Sequence, residues 1–191
     1  MALLTDSELA LKTPRLQLEP VTESHAEELW QLYRDPELHR YVPIDPDSEK
    51  KLRERFAKWA RRKSPDGEEI WLNWAVRESA SQKVMAHFQV GIKEEGMASI
   101  GYLVAREFQR KGFATEGLSS VFIFLHEAYG IREVKAWSDS RNSASHALAR
   151  KLGMEQVETI KDADFFKGET SDEYVFSKKL SAKSTRWGDP R

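Results

Sequence analysis

Ile100-Gly101-Tyr102-Leu103-Val104, followed by Glu107-Phe108-Gln109-Arg110-Lys111-Gly112-Phe113-Ala114-Thr115-Glu116-Gly117-Leu118, is the stretch whose reading decides the fold. Its first part is short and apolar and reads as a strand. From Gly112 the period becomes helical, with Leu118, Val121, Phe122, Leu125, Ala128 and Tyr129 on one stripe, and Gly130 stands where a helix end turns left-handed. The loop between them holds a glycine and two cations. Glycine lets backbone approach a ligand closely, and the first amides of a helix are unpaired donors at the positive end of its dipole. Together these make an anion site suited to phosphate. Arg110 and Lys111 support the same reading, because cations left unpaired at a helix N-terminus oppose the dipole. The loop is not a P-loop: Gly112 and Gly117 have the Gly-x-x-x-x-Gly spacing, but Leu118-Ser119 follows where Lys-Ser or Lys-Thr is required. Nor does it read Gly-x-Gly-x-x-Gly, which argues against a Rossmann dinucleotide site.

Outward from this junction, Ile70 to Arg77, Val84 to Ile92 and Ala98 to Val104 are strand-like runs. The separators Glu78-Ser79-Ala80-Ser81 and Glu94-Glu95-Gly96 are short enough for hairpins, so the spacing predicts three antiparallel neighbours. Arg15 to Glu19 alternates as a first strand closed by Pro20. A helix follows behind a Ser24/Glu27 capping box, with Ala26, Leu29, Trp30 and Tyr33 on its stripe and Asp35-Pro36 as its stop. Asp45-Pro46-Asp47-Ser48 opens a second helix, with Leu52, Phe56, Trp59 and Ala60 on one face. Val134 to Trp137 is a further strand. Asn142 or Ser143 caps a last helix whose Ala144, Ala147, Leu148 and Leu152 are expected to face inward, and strands around Glu155 to Ile160 and Glu173 to Ser177 close the pattern. The order predicts an α+β, or mixed α/β, fold in three layers with a largely antiparallel sheet. One domain over residues 1–180 is expected, with a loose tail over 181–191.

Composition narrows the function. Thirty basic residues against 31 acidic ones leave a net charge of -1, which argues against a nucleic-acid partner. The absence of cysteine excludes disulfides, thiolate zinc sites and a Cys nucleophile, and no metal is expected. Met1 to Glu8 has neither a basic region nor a long apolar run, so no signal peptide is read there. No stretch approaches the ~20 apolar residues needed to span a bilayer, and a cytoplasmic location without membrane contact is expected.

The quoted stretch resembles the acetyl-CoA motif of the GNAT superfamily of N-acetyltransferases. Further on, Asn142-Ser143-Ala144-Ser145 leads to Leu148-Ala149-Arg150-Lys151-Leu152-Gly153-Met154, which is similar to the Asn-x-x-Ser block of the branch containing the ribosomal-protein alanine acetyltransferases. Leu11 to Leu16, Asp35-Pro36, and Gly168 to Phe176 fit the same branch, so the resemblance spans roughly residues 11 to 180. It implies a three-layer GNAT-like fold and acetyl-CoA as co-substrate. Backbone of Leu103 and Val104 would bond pantetheine, the amides of Gln109, Arg110, Lys111, Gly112, Phe113, Ala114 and Thr115 would take pyrophosphate, and Asn142 and Ser145 would touch the pantetheine arm. It also implies direct transfer of acetyl to a primary amine, on a protein N-terminus or a small molecule, by a monomer or homodimer.

The proton carriers depart from the family pattern. Many relatives have a Tyr acid seven residues after the Asn, where this chain has Ala149, and a Glu two before the Gly of Ile-Gly-Tyr, where it has Ser99. Ser145 as proton donor and Glu107 as base are the readings carried forward, beside a structural role for each hydroxyl or carboxylate; His87 is a further candidate base. The alternative function is a CoA-binding module of the same fold without efficient turnover.

Overall fold

The computed structural model describes residues 4–42, 48–94 and 96–181. Its strands are β1 (Leu11–Lys12), β2 (Leu16–Pro20), β3 (Ile70–Glu78), β4 (Val84–Glu94), β5 (Met97–Val104), β6 (Glu133–Asp139), β7 (Glu155–Phe166) and β8 (Glu169–Lys179). Its α-helices are α1 (Asp6–Leu9), α2 (His25–Tyr33), α3 (Glu49–Trp59), α4 (Phe113–Tyr129) and α5 (Ser143–Lys151), with 3-10 turns at Pro36–His39 and Arg106–Phe108. The strands form one sheet in the order β1-β2-β3-β4-β5-β6-β8-β7. Only β5 and β6 pair in parallel, as expected for strands joined through a helix, here α4. The expected mixed, mostly antiparallel sheet is thus observed.

The pleat of the three central strands sorts their residues onto two faces. Leu72, Trp74, Phe88, Val90, Ile100 and Val104 belong to the large core beneath α4, which continues through Ala149 of α5 and Leu152 just past its end. Ala75 belongs to a second core with Leu29, Leu32, Tyr33, Leu52 and Phe56 from α2 and α3. Gly117 lets α4 lie against the sheet: a Cβ there would stand 2.6 Å from Phe88 Cε2 and 3.2 Å from Leu16 Cδ1.

Several local expectations are corrected. The Ser24/Glu27 capping box does not form, because Ser24 Oγ is taken by Thr22 Oγ at 2.8 Å and the entry to α2 is instead held by Thr22 N–H donating to His25 Nδ1. In α5, Ala144 and Ala147 are exposed, while His146 and Ala149 are buried. Asn142 Oδ1 accepts from Ser145 N–H at 3.1 Å and sets this phase; small alanines carry too little apolar surface to mark a face by periodicity. Ala128 and Ala60 are likewise exposed. Ser48 is the cap of α3, accepting from Lys51 N–H, whereas Asp45 and Asp47 lie outside the described residues, as does Trp187. The two-residue β1 and the short α1 were not legible from periodicity. Among the described residues, no helix is long and apolar enough to cross a membrane.

Candidate active site

The loop between β5 and α4 is pinned at both ends. Phe108 and Phe113 are buried with ring centroids 6.1 Å apart, which leaves Gln109, Arg110 and Lys111 exposed between them. Gln109 closes the near end: its Nε2 donates to Val104 O at 2.9 Å and its N–H to Arg106 O at 3.1 Å. Arg110 (φ 60°) and Gly112 (φ 82°) are both left-handed, with Lys111 between them at negative φ. Such alternation turns successive amides toward one concavity. No N–H from Arg110 through Thr115 finds an acceptor among the described residues, so six of the seven expected anion donors are free and Gln109 is engaged. Arg110 and Lys111 form no ion pair there either.

A contact the sequence reading missed holds the far side. Glu116, in the first turn of α4 and only 7% exposed at its side chain, accepts from Thr13 Oγ (2.6 Å), Arg15 N–H (3.0 Å) and Arg15 Nε (2.6 Å). Burial opposes ionisation, yet those bonds hold the carboxyl below its ordinary range. Arg15 then reaches Lys111 O with Nη1 at 3.1 Å and lies over the Phe113 ring at 4.4 Å. The turn before β2 therefore fixes the loop from about a hundred residues away in sequence.

Beside the loop, the sheet is open. β5 and β6 pair only over Met97↔Glu133, Ala98↔Val134 and Ser99↔Lys135, while β6 stays paired to β8 as far as Asp139↔Glu173. Beyond Ser99 the two strands diverge, and among the described residues the outer edge of β5 has no strand partner. Ala105 N–H donates to Met85 O, so by alternation Leu103 turns its N–H toward β4, whereas Ile100, Tyr102 and Val104 turn theirs into the wedge. Of the expected pair, Val104 faces the opening and Leu103 does not; Tyr102 takes that place.

Across this wedge the Tyr102 hydroxyl meets Ser145 Oγ at 2.8 Å and stands 3.3 Å from Ser145 O. Burial pushes the Tyr102 phenol up, so it stays protonated. Asn142 spends its Oδ1 on the helix cap. Ala149, seven residues after Asn142, is 1% exposed and puts a methyl in the core. Glu107 is exposed on the 3-10 turn, without a partner among the described residues.

The second face behind β5 carries His87, Gln89, Gly91, Ser99 and Gly101. His87 is fully buried, its Nδ1 receiving Tyr33 Oη at 2.5 Å and Gln89 Nε2 at 3.1 Å. Two donors on Nδ1 assign the ring proton to Nε2, which has no partner. Burial pushes this imidazole down to about 3, too weakly basic for a base working near neutrality. Glu173 on β8 is the one described carboxylate pushed up, by burial and then by Asp164 and Asp139. Asp139 itself caps a turn, accepting from Arg141 N–H, Nε and Nη2, and is held low by those bonds. Two straps cross the region: Arg106 Nε donates to Asp35 Oδ2 at 2.8 Å, and Lys167 Nζ donates to His39 O.

Comparison with known proteins shows the family. Residues 15–155 match the family model described as Acetyltransferase (GNAT) domain. The chain is 26% identical over 167 residues to the Bacillus licheniformis N-acetyltransferase p20, itself uncharacterised, covering 87% of this chain and 94% of that protein. Among solved structures it resembles RimL, a ribosomal L7/L12 alpha-N-protein acetyltransferase in complex with coenzyme A (TM-score 0.80, 18% identity, covering 90% of this chain and 98% of that one). It also resembles the microcin C7 self-immunity acetyltransferase MccE in complex with acetyl-CoA and AMP (TM-score 0.77, 17% identity, covering 88% and 94%). A family model spanning most of the chain, over a sheet that opens beside an amide-rich loop, has one consequence: the chain belongs to the GNAT family of acetyltransferases.

Proposed function

We propose that the chain binds acetyl-CoA in the wedge and transfers its acetyl group directly to a primary amine. The observation that carries this reading is two sets of unpaired backbone amides, those of Arg110 to Thr115 and those of Tyr102 and Val104 on the open edge of β5. Pyrophosphate suits the first, with the α4 dipole and two unpaired cations behind it. An extended pantetheine suits the second, as a guest strand that satisfies the edge. The Tyr102 N–H then stands ready to polarise a thioester carbonyl. Asn142 and Ser145 lie at the head of α5 beside that arm; Ser145, hydrogen-bonded to a protonated phenol, returns a proton to the departing thiolate. Glu107, open to solvent, carries protons away. Residues 1–180 act as one acetyltransferase domain.

Calorimetry tests the donor site. Wild type binds CoA, and Gly112→Val and Asn142→Ala each weaken it at least tenfold while the circular dichroism spectrum is kept; unchanged affinity in both variants sinks the assignment. ATP failing to displace CoA supports CoA over another nucleotide. A second reading, a CoA-binding module without turnover, has a specific observation behind it in the buried methyl of Ala149. Thiol release from acetyl-CoA over a panel of amines and peptides separates the two.

A further inference from the structure

On the α2–α3 face of the sheet, against the wedge, lies an open cavity of about 350 Å³. Trp59 and Trp71 form apolar walls, and Asn73, Gln89 and Ser99 supply polar atoms. Among the described residues, Glu69 is the only one lining it that carries charge. Resting on the acetyl-transfer reading, we infer that this cavity takes the acceptor as a primary ammonium carried on an aromatic or branched apolar group, and that Glu69 holds the ammonium.

The Glu69 carboxylate is placed, not loose. Trp71 Nε1 donates to its Oε2 at 2.9 Å, and the backbone N–H of Glu69 donates to Ser64 Oγ at 2.9 Å. Its Oε1 extends over Gly91: a Cβ built there would overlap Oε1 and stand 2.7 Å from Ser99 Oγ. The glycine in mid-strand therefore makes room for a carboxylate beside Ser99, and Ser99, Ile100 and Gly101 line both this cavity and the start of the open β5 edge. Glu69 forms no ion pair among the described residues.

The remaining chemistry has the same sign. A primary ammonium offers three donors and no acceptor. The cavity answers with the Glu69 carboxylate and with the lone pairs of Ser99 Oγ, whose own proton goes to Gly91 O at 3.2 Å. Indole faces attract cations and accept apolar groups, and although Arg55 already lies 5.9 Å from the Trp59 ring centroid, an anion would still meet Glu69 and the Trp71 ring. A peptide N-terminus and a free amine share this chemistry.

The test titrates the protein, with and without CoA, by calorimetry. The probes are 2-phenylethylamine, the dipeptide Phe-Gly amide, and 3-phenylpropanoate as an anionic control of similar shape. At least one of the two cations is expected to bind saturably, and which one identifies the acceptor source; the anion is expected not to bind. Glu69→Gln, which keeps an acceptor for Trp71, is expected to weaken the cation at least tenfold and leave CoA affinity within twofold. Gly91→Ala, which keeps the charge but fills its place, is expected to do the same. Equal binding of anion and cation, no cation binding at all, or wild-type cation affinity in both variants overturns the proposal. Loss of CoA binding by wild type would instead remove the donor-site reading, and the amine titration without CoA still decides the role of Glu69.

Discussion

Tyr102 and Ser145 share a 2.8 Å hydrogen bond across the space where β5 and β6 have separated, so a strand residue and a helix residue together guard the wedge. The phenol is held protonated by burial, and with its proton directed at Ser145 Oγ the serine hydroxyl keeps its own proton to donate. A proton donor of this kind contributes on the order of 10²–10⁴ in rate. Ser145→Ala is expected to lower kcat about a hundredfold, with CoA affinity within threefold of wild type. Tyr102→Phe, which only removes the orienting partner, is expected to lower it about tenfold. Thiol release and calorimetry measure both, and a wild-type kcat in Ser145→Ala removes the serine from the proton path.

The Arg15–Glu116 pair separates loop rigidity from protein stability. Glu116→Ala leaves Thr13 Oγ and Arg15 N–H without their acceptor at a site that is 7% exposed, and unsatisfied buried groups cost about 1–3 kcal/mol each. Arg15→Ala removes a side chain that is 47% exposed, where an ion pair contributes about 0–1 kcal/mol. The expected result is a clear loss of urea midpoint for Glu116→Ala only. CoA affinity is expected to fall in both, because Lys111 O loses its anchor. A larger midpoint loss in Arg15→Ala than in Glu116→Ala contradicts this division.

What was legible in the sequence was what short-range patterns encode. The central strands alternate, α4 has a long stripe and a left-handed glycine at its end, and the loop joins cations to a helix start; each of these is set by neighbours a few residues away. Glu116 with Thr13 and Arg15, Tyr102 with Ser145, and Glu69 over Gly91 were not legible, because each is a pairing across strands or across most of the chain. The face of α5 was misjudged for a local reason, since alanine occurs as readily on an exposed face as on a buried one, and here Ala149 is buried while Ala144 and Ala147 are exposed. Leu103 was expected at the open edge, but which of two consecutive strand residues points outward depends on a register that only the Ala105–Met85 bond reveals.

Gly117 tests whether close helix–sheet approach outweighs helix propensity. In an exposed helix interior, glycine to alanine stabilises by about 1 kcal/mol. Here the added methyl would meet the rim of Phe88, which is 0% exposed and enclosed by core, at 2.6 Å. Overpacking of that kind costs about 1–3 kcal/mol and exceeds the propensity gain. Gly117→Ala is therefore expected to lower Tm by a few degrees; a raised Tm would show that the helix can shift without loss.

His87 predicts an acid-side loss of stability. Its folded-state value is pushed from 6.5 down to about 3 by burial, then by His25 and Arg55. The unfolded chain thus takes up a proton below about pH 6.5 that the folded chain refuses, so the stabilisation is present above that pH and declines as pH falls from 6.5 toward 3. The slope is about 1.4 kcal/mol per pH unit, or about 2 kcal/mol between pH 7 and pH 5 from this residue alone. Carboxylates add their own acid dependence, so the informative quantity is the difference between two proteins. His87→Gln keeps an acceptor for Tyr33 but takes up no proton, and its urea-unfolding free energy is expected to vary by about 2 kcal/mol less than wild type over that range. Parallel curves for the two proteins would mean that the imidazole protonates in the folded state, with Tyr33 and Gln89 giving up Nδ1 to let it.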